Sequence, residues 1–521
     1  MTNTRIFLII LLATVAGCAS VSDGQKNQQS SAQGTQFSVA PCREYFEALD
    51  AAIDTTGGRD GGDARMESFP YLRVNRFLAS FAADFQTQHA ANTTVFADWA
   101  AELRRLDLTA RNAEISNLPT EVSAKLGAST SIIRATISAC ADLMLTADML
   151  NATRRAAMVK AARVPDDYST FNRLLGLYPL TKMPFFCGVE DWQRKAALTI
   201  RSAPSTTSQD YGVIRYSPAS VSPPANILSI FKNAPRDSLG IPTLSANDWA
   251  QLFDAHAPVF EVESATDDDR IGAVQWPRDV AFGDAPFVDS SRPSVYRRLS
   301  STRIAGKTYS QLVFSVWFRS RPRAHAFDLL AGALDSVMWR VTLDEDGTPL
   351  IYDSIHACGC YHMFFPTSRM QLKPAPAKNT EWALVPKAMP TLEPGQRITL
   401  RLAAASHYLV GIDVAPNENS KAEDSSVVYD WRDDDELRKL DTGRDQTRSI
   451  FQPSGIVAGT ERGERFFFWP MGIDSAGAMR QWGRHATAFV GIRHFDDADL
   501  FDLRFKLVQP DITKSTIVNK H

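Results

Sequence analysis

Between about residues 41 and 200, apolar side chains recur at three- and four-residue intervals, the spacing that lines one face of an α-helix. LRVNRFLASFAADF sets Val74, Phe77, Leu78, Phe81 and Phe85 on one stripe, just after Pro70. VFADWAAELRRL repeats it with Val95, Trp99, Leu103 and Leu106, and TSIIRATISACADLML with Ile133, Ile137, Cys140 and Met144. The spacing predicts a helical domain over 41–200. Ser- and Pro-rich stretches over 201–240 (SAPSTTSQDYG, SPASVSPPAN, NAPRDSLGIP) sustain no helix and read as an extended connector. Ser245 followed by Asp248 then forms a capping box ahead of Trp249, Leu252 and Phe253, which predicts a short helix.

From residue 258 the pattern changes to short β-rich runs: VFEVE, YSQLVFSVWF, VMWRVTL, LIYDSIH, RITLRLAAA, RFFFWP and HATAFVGI. The clearest hairpin alternates Val337, Trp339, Val341 and Leu343, turns at Asp344-Glu345-Asp346-Gly347 and returns through Leu350, Tyr352 and Ile355. No βαβ rhythm is present. The expected fold is therefore α+β, an N-terminal helical domain followed by a mostly antiparallel, β-sandwich-like region in two parts, 241–375 and 376–521.

The N-terminus adds a targeting signal. Arg5 precedes an apolar run from Ile6 to Ala16, and about 11 residues make a helix only ~16 Å long, too short for a bilayer core. The run ends in Val15-Ala16-Gly17-Cys18, which resembles the lipobox of bacterial lipoproteins. The resemblance implies that residues 1–17 are a signal peptide, that Cys18 is acylated, and that the membrane is a partner through the lipid anchor. Ala19, where the class uses aspartate for inner-membrane retention, points to the outer membrane. Residues 18–40 are dominated by Ser, Gln, Gly and Asn and read as a flexible tether.

Composition narrows the rest. A chain of 521 residues exceeds one compact core, and 56 basic against 59 acidic side chains suggest no nucleic-acid partner. The best basic patch, Arg319, Arg321 and Arg323, reads as a solvated strand end. Beyond Cys18 lie Cys42, Cys140, Cys187, Cys358 and Cys360, and an oxidising envelope favours disulfides. The preferred pairing is Cys42 with Cys140, and Cys187 with Cys358 or Cys360.

One cluster carries soft ligands. His356-Ala357-Cys358-Gly359-Cys360-Tyr361-His362 offers the imidazole and thiolate that zinc prefers. On a continuous strand its outer histidines would stand about 20 Å apart, so a metal needs the chain to fold back at Gly359. A structural disulfide, a metal site on His356, Cys358, Cys360 and His362, and a free or redox-active thiol pair all stay open. His325 near Asp328 and Asp335, and His256 near Glu261 and Glu263, are weaker acid-base candidates. Thr266-Asp267-Asp268-Asp269 and His494-Phe495-Asp496-Asp497-Ala498-Asp499 lack the EF-hand spacing and read as solvated turns, and WRDDDELRKLD as an exposed helix or loop. Trp317, Trp339, Trp469 and Trp482 read as core rather than as a sugar- or lipid-binding surface.

The chain contains no GxSxG, HExxH, GxxxxGK[ST] or strand-linked GxGxxG motif. These observations favour a lipid-anchored envelope protein acting as a binding or structural module, with an envelope protein or glycan as partner. The alternative is an envelope hydrolase, with or without a metal ion, built on the His356–His362 cluster.

Overall fold

The computed structural model describes residues 39–87, 94–127, 129–202, 211–219, 226–279, 283–393, 395–415, 426–444 and 446–508. Cys18, the signal-peptide reading and nearly all of the tether lie outside the described residues.

Helices form where the stripes predict them. Ala40–Thr55, Arg76–Thr87, Thr94–Ser116 and Thr130–Leu150 turn Phe46, Phe81, Trp99, Leu103, Ile133 and Met144 into one hydrophobic cluster. Val74 departs from its predicted place. It ends the strand Phe69–Val74, whose hairpin partner is Ala64–Met66. Asn75 then breaks the strand and starts the next helix, its Oδ1 accepting the Leu78 amide at 2.9 Å. The disulfide Cys42–Cys140 ties the first of these helices to the Thr130–Leu150 helix, with Cα atoms 5.2 Å apart.

The second expected pairing does not form. Cys187 is exposed on the helix Tyr178–Ser202, while Cys358 and Cys360 are free thiols elsewhere.

The strands build one ten-stranded sheet. In spatial order these are Met363–Pro366, Pro349–His356, Gly332–Leu343, Lys307–Arg321, Ser294–Ile304, Val427–Asp433, Gly212–Pro218, Val259–Ser264, Arg397–Leu402 and Leu409–Ala415. Pairing is antiparallel except where Val427–Asp433 meets its two neighbours and where Val259–Ser264 meets Arg397–Leu402. The predicted hairpin forms the pair Gly332–Leu343 and Pro349–His356. The stretch read as a connector supplies the internal strand Gly212–Pro218.

Every strand contributes to one inner hydrophobic cluster. Tyr216, Phe260, Val295, Phe314, Trp339, Tyr352, Phe365, Leu400, Ile412 and Tyr429 come one from each. A sheet this wide can gather all ten only by curling around them. Helix Tyr178–Ser202 lies along the gap, Trp192 and Ala196 bordering the same crevice as Met363 from one edge strand and Leu409 from the other.

The outer face meets no second large sheet among the described residues. The segment from Asp434 onward covers it in irregular loops, packing Leu437, Phe451, Val457, Met479 and Phe495 onto Val313, Trp317 and Met338. Two predicted strands are lost to this layer. RFFFWP forms the helical turns Arg465–Phe468 and Trp469–Met471, with no partner strand beside it. HATAFVGI is a looped turn with a single bridge, Ala486 to His494, folded around the Tyr168 hydroxyl.

A buried ion network joins the helices to this layer. Arg73 contacts Asp107 and Glu114, and Asp60 beside them pairs with Arg438 at 2.7 Å. From Val39 onward the described residues pack as one unit, and none of their helices is long and apolar enough to cross a membrane.

Candidate functional site

Under the helix Tyr178–Ser202 lies a cavity of about 660 Å³, whose floor is the turn Cys358-Gly359-Cys360-Tyr361-His362. The turn forms because the Gly359 amide donates to the His356 carbonyl at 2.8 Å and the His356 amide to the Cys360 carbonyl at 3.0 Å. Gly359 has φ +93°, and a Cβ there would run into the Ala486 carbonyl oxygen, so the position requires glycine. The walls are aromatic: Phe185 and Trp192 from the helix, Phe467 and Phe468 from the RFFFWP turns, and Phe489 from the loop after Ala486. Phe468 stacks on Phe489 at 4.3 Å.

Two carboxylates reach this cavity and differ in their surroundings. Glu381 is fully matched, receiving Arg493 at 2.8 Å and the amides of Phe489 and Val490 at 2.8 and 3.0 Å. Glu464 is only 7% exposed, and its carboxylate meets no hydrogen-bonding partner among the described residues. Burial pushes its pKa up to about 7, against the opposing pull of Arg462 and Arg321.

The HxCxCxH residues do not converge on one point. The His356 Nδ1 faces Asp335 at 3.5 Å, and the His362 Nε2 meets Asp353 at 2.9 Å. Each imidazole is thus held by its own buried aspartate. The neighbouring Cys358 thiol together with burial pushes the Cys360 pKa well up. Among the described residues no three His, Cys, Asp or Glu side chains are gathered so as to hold a metal ion. The zinc set read from the sequence is therefore not assembled.

The two aspartates anchor separate networks. Asp335 also accepts His407 Nδ1 at 2.8 Å, while His407 Nε2 lies 3.4 Å from Asp269. Burial alone would raise the Asp335 carboxyl, but His356, His407 and Arg462 hold it well below the usual carboxylate range. Asp353 receives the Arg340 Nε at 2.9 Å, and here too burial is outweighed, by Arg340 and His362. Burial drives the His362 pKa down to about 3, so that imidazole is neutral near pH 7.

His356 presents a buried Nε2 with no hydrogen-bond partner and borders a crevice of about 200 Å³ with Ser354 and Lys195. An aspartate-oriented imidazole is half of a general-base arrangement. The other half is missing, because no hydroxyl or thiol hydrogen-bonds to that nitrogen.

The other sequence candidates fall elsewhere. His325 is exposed on a loop, away from the buried Asp335. His256 ends the capped helix Ala246–Ala255 with its pKa lowered to about 4 by burial, and Glu261 pairs with Arg215 instead. Asp267–Asp269 form a 3₁₀ turn capped by Thr266. His494 sits 3.3 Å from both Asp166 and Asp497, and Asp496 pairs with Arg76. Arg321 hydrogen-bonds Tyr408 at 3.1 Å. Trp317 and Trp339 are core, whereas Trp469 is 40% exposed.

Glu464, His407 and the Glu381–Arg493 pair escape sequence reasoning. The one signal for Glu464 is its position directly ahead of the aromatic run that walls the cavity.

Comparison of the chain with protein-family models, with curated proteins and with solved structures finds no match.

Proposed function

We propose that this protein is a cell-envelope lipoprotein, anchored to the outer membrane through acylated Cys18, whose folded part is a binding module for an apolar small molecule. The observation that carries this reading is the 660 Å³ aromatic-walled cavity under helix Tyr178–Ser202. Ligand sites in proteins are of this kind, several hundred cubic ångströms of mostly apolar wall with a few polar groups. Its surroundings fit the role. Leu174, Leu177 and Leu180 are 73%, 61% and 73% exposed just before the helix segment that borders the cavity, and Phe466 and Phe467 are 67% and 59% exposed beside it. Clustered exposed apolar side chains of this size mark contact surfaces for ligands, membranes or other envelope components. The hydrolase reading keeps only the His356–Asp335 pair, which has no nucleophile.

Calorimetric titration with decanol, a neutral ten-carbon probe, tests the cavity. Burial of its chain should give a Kd of about 1–100 µM. Gly188 lines the cavity, and a Cβ there meets nothing within 4 Å. Gly188→Trp should therefore fill the space and abolish decanol binding while leaving the melting temperature unchanged. Equal binding by the variant, or none by the parent, removes the reading.

The anchor has its own test. Cys18→Ser should end palmitate labelling and move the protein from the membrane to the soluble fraction, because two or more acyl chains hold firmly where none does. Retention of label by the variant would count against acylation at Cys18.

A further inference from the structure

We propose that the cavity under helix Tyr178–Ser202 selects lipophilic cations, molecules with an apolar body and one ammonium group, and that Glu464 is their counter-ion. This inference rests on the cavity being a ligand site.

The charges around the cavity decide its preference. Arg493 and Glu381 cancel each other at 2.8 Å, and the two backbone amides complete the shell of Glu381. His362 is held neutral near pH 7 by burial. Of the Asp, Glu, Lys and Arg side chains that line the cavity, Glu464 is the one with neither an ion pair nor a hydrogen bond among the described residues, and it is 7% exposed. A buried carboxylate with no partner is costly, so a guest that brings a positive charge recovers what desolvation removed.

The walls add to the same preference. Phe185, Trp192, Tyr361, Phe468 and Phe489 present ring faces or edges to the space. Aromatic faces attract alkylammonium groups through the ring quadrupole, and the attraction grows when water is excluded. A fatty acid of equal length would place a second negative charge beside Glu464. The geometry therefore ranks guests of one chain length as ammonium, then alcohol, then carboxylate.

The groups that face Glu464 set its titration. Arg462 and Arg321 favour its charged form, and Asp335 and Asp328 oppose it. Tyr361 and Cys360 feel the Glu464 charge and are themselves pushed up, so they stay neutral while Glu464 ionises. With a pKa raised to about 7, the ionised fraction grows about tenfold between pH 6 and pH 8. Affinity for a fixed cation should rise with pH over that window and then level off. Affinity for the alcohol should stay flat.

Titration of the full-length protein with decyltrimethylammonium, decanol and decanoate, each below its micelle concentration, tests the assignment. The cation should bind tightest, and Glu464→Gln should weaken it about thirtyfold or more while sparing decanol. The pH series on the unaltered protein supplies the same answer if the variant folds poorly. Decanol binding with no preference for the cation, or a cation affinity that ignores both pH and Glu464→Gln, overturns the assignment and leaves the cavity reading standing. Failure of all three probes overturns both.

Discussion

Asp353→Leu is expected to lower the unfolding free energy by about 3–5 kcal/mol, read from urea denaturation. Asp353 lies on the strand Pro349–His356 with no exposed surface, and it holds three donors, Arg340 Nε at 2.9 Å, Arg340 Nη2 at 2.5 Å and His362 Nε2 at 2.9 Å. Arg340 is 1% exposed, lies 3.7 Å over the Phe495 ring and donates to the Phe495 carbonyl at 2.6 Å. Removing the carboxylate would leave that guanidinium charged with no route to water. Replacing Arg340 by Met in the same chain should recover much of the loss, since an apolar pair of similar volume removes the uncompensated charge. A loss under ~1 kcal/mol for the single variant would mean the guanidinium reaches solvent. The pH dependence has a definite sign. The folded-state pKa of Asp353 lies below its usual value, so its contribution is complete above about pH 4 and is lost as the pH falls toward that lowered pKa.

Reduction of Cys42–Cys140 should cost about 2–5 kcal/mol, because the bond closes a loop of 98 residues in the unfolded chain. The loop holds the hairpin ending at Val74 and most of the helices that share the first hydrophobic cluster. Cross-linking its ends removes many open conformations of the unfolded chain without altering the packed state. Unfolding with and without reductant measures the difference, and Cys42→Ser with Cys140→Ser should reproduce the reduced curve. An unfolding midpoint that reductant leaves in place would show the bond absent or energetically silent.

What the sequence revealed followed burial. The helical stripes through Trp99 and Ile133 and the hairpin Gly332–Leu343 with Pro349–His356 were legible because their apolar residues dominate the local pattern. The strand Ser294–Ile304 (SVYRRLSSTRI) was not, because its few apolar residues are broken up by runs of polar ones and do not alternate. Arg298 on that strand goes to Asp434 and Asp435, partners far away in sequence. The end of the strand Val427–Asp433 and the 3₁₀ turn after it hid inside WRDDDELRKLD, an acidic run from Trp431 read as helix or loop. The RFFFWP segment misled in the opposite way. Its aromatic residues suit a strand, but they turn outward and toward a cavity, where no neighbouring strand exists to pair with them.

The site was legible as chemistry and not as geometry. The turn around Gly359 stood out as a dense run of ligand-type residues, and it does form the cavity floor. That Asp335 and Asp353 would each capture one histidine, so that no metal set remains, depends on strand pairing across the curled sheet. Glu464 becomes conspicuous only when its lack of a hydrogen-bonding partner is seen.

The strand Val427–Asp433 passes its hydrogen bonds from one neighbour to another halfway along, pairing Val427 to Tyr429 with Gly212–Pro218 and Asp430 to Asp433 with Ser294–Ile304. Between Ser294 and Pro366 the sheet is wired by neighbours in sequence, so that half can assemble from short loops. The other half waits for a segment more than 200 residues beyond Gly212–Pro218, and closing so long a loop is slow compared with forming a meander. The connectivity therefore predicts an order of assembly, the meander first and the seam at Val427–Asp433 last, which pulse-labelling hydrogen exchange during refolding would read as early protection between Ser294 and Pro366. The helix Tyr178–Ser202 borders a crevice with both sheet edges, so on this prediction the cavity beneath it forms among the last features of the fold.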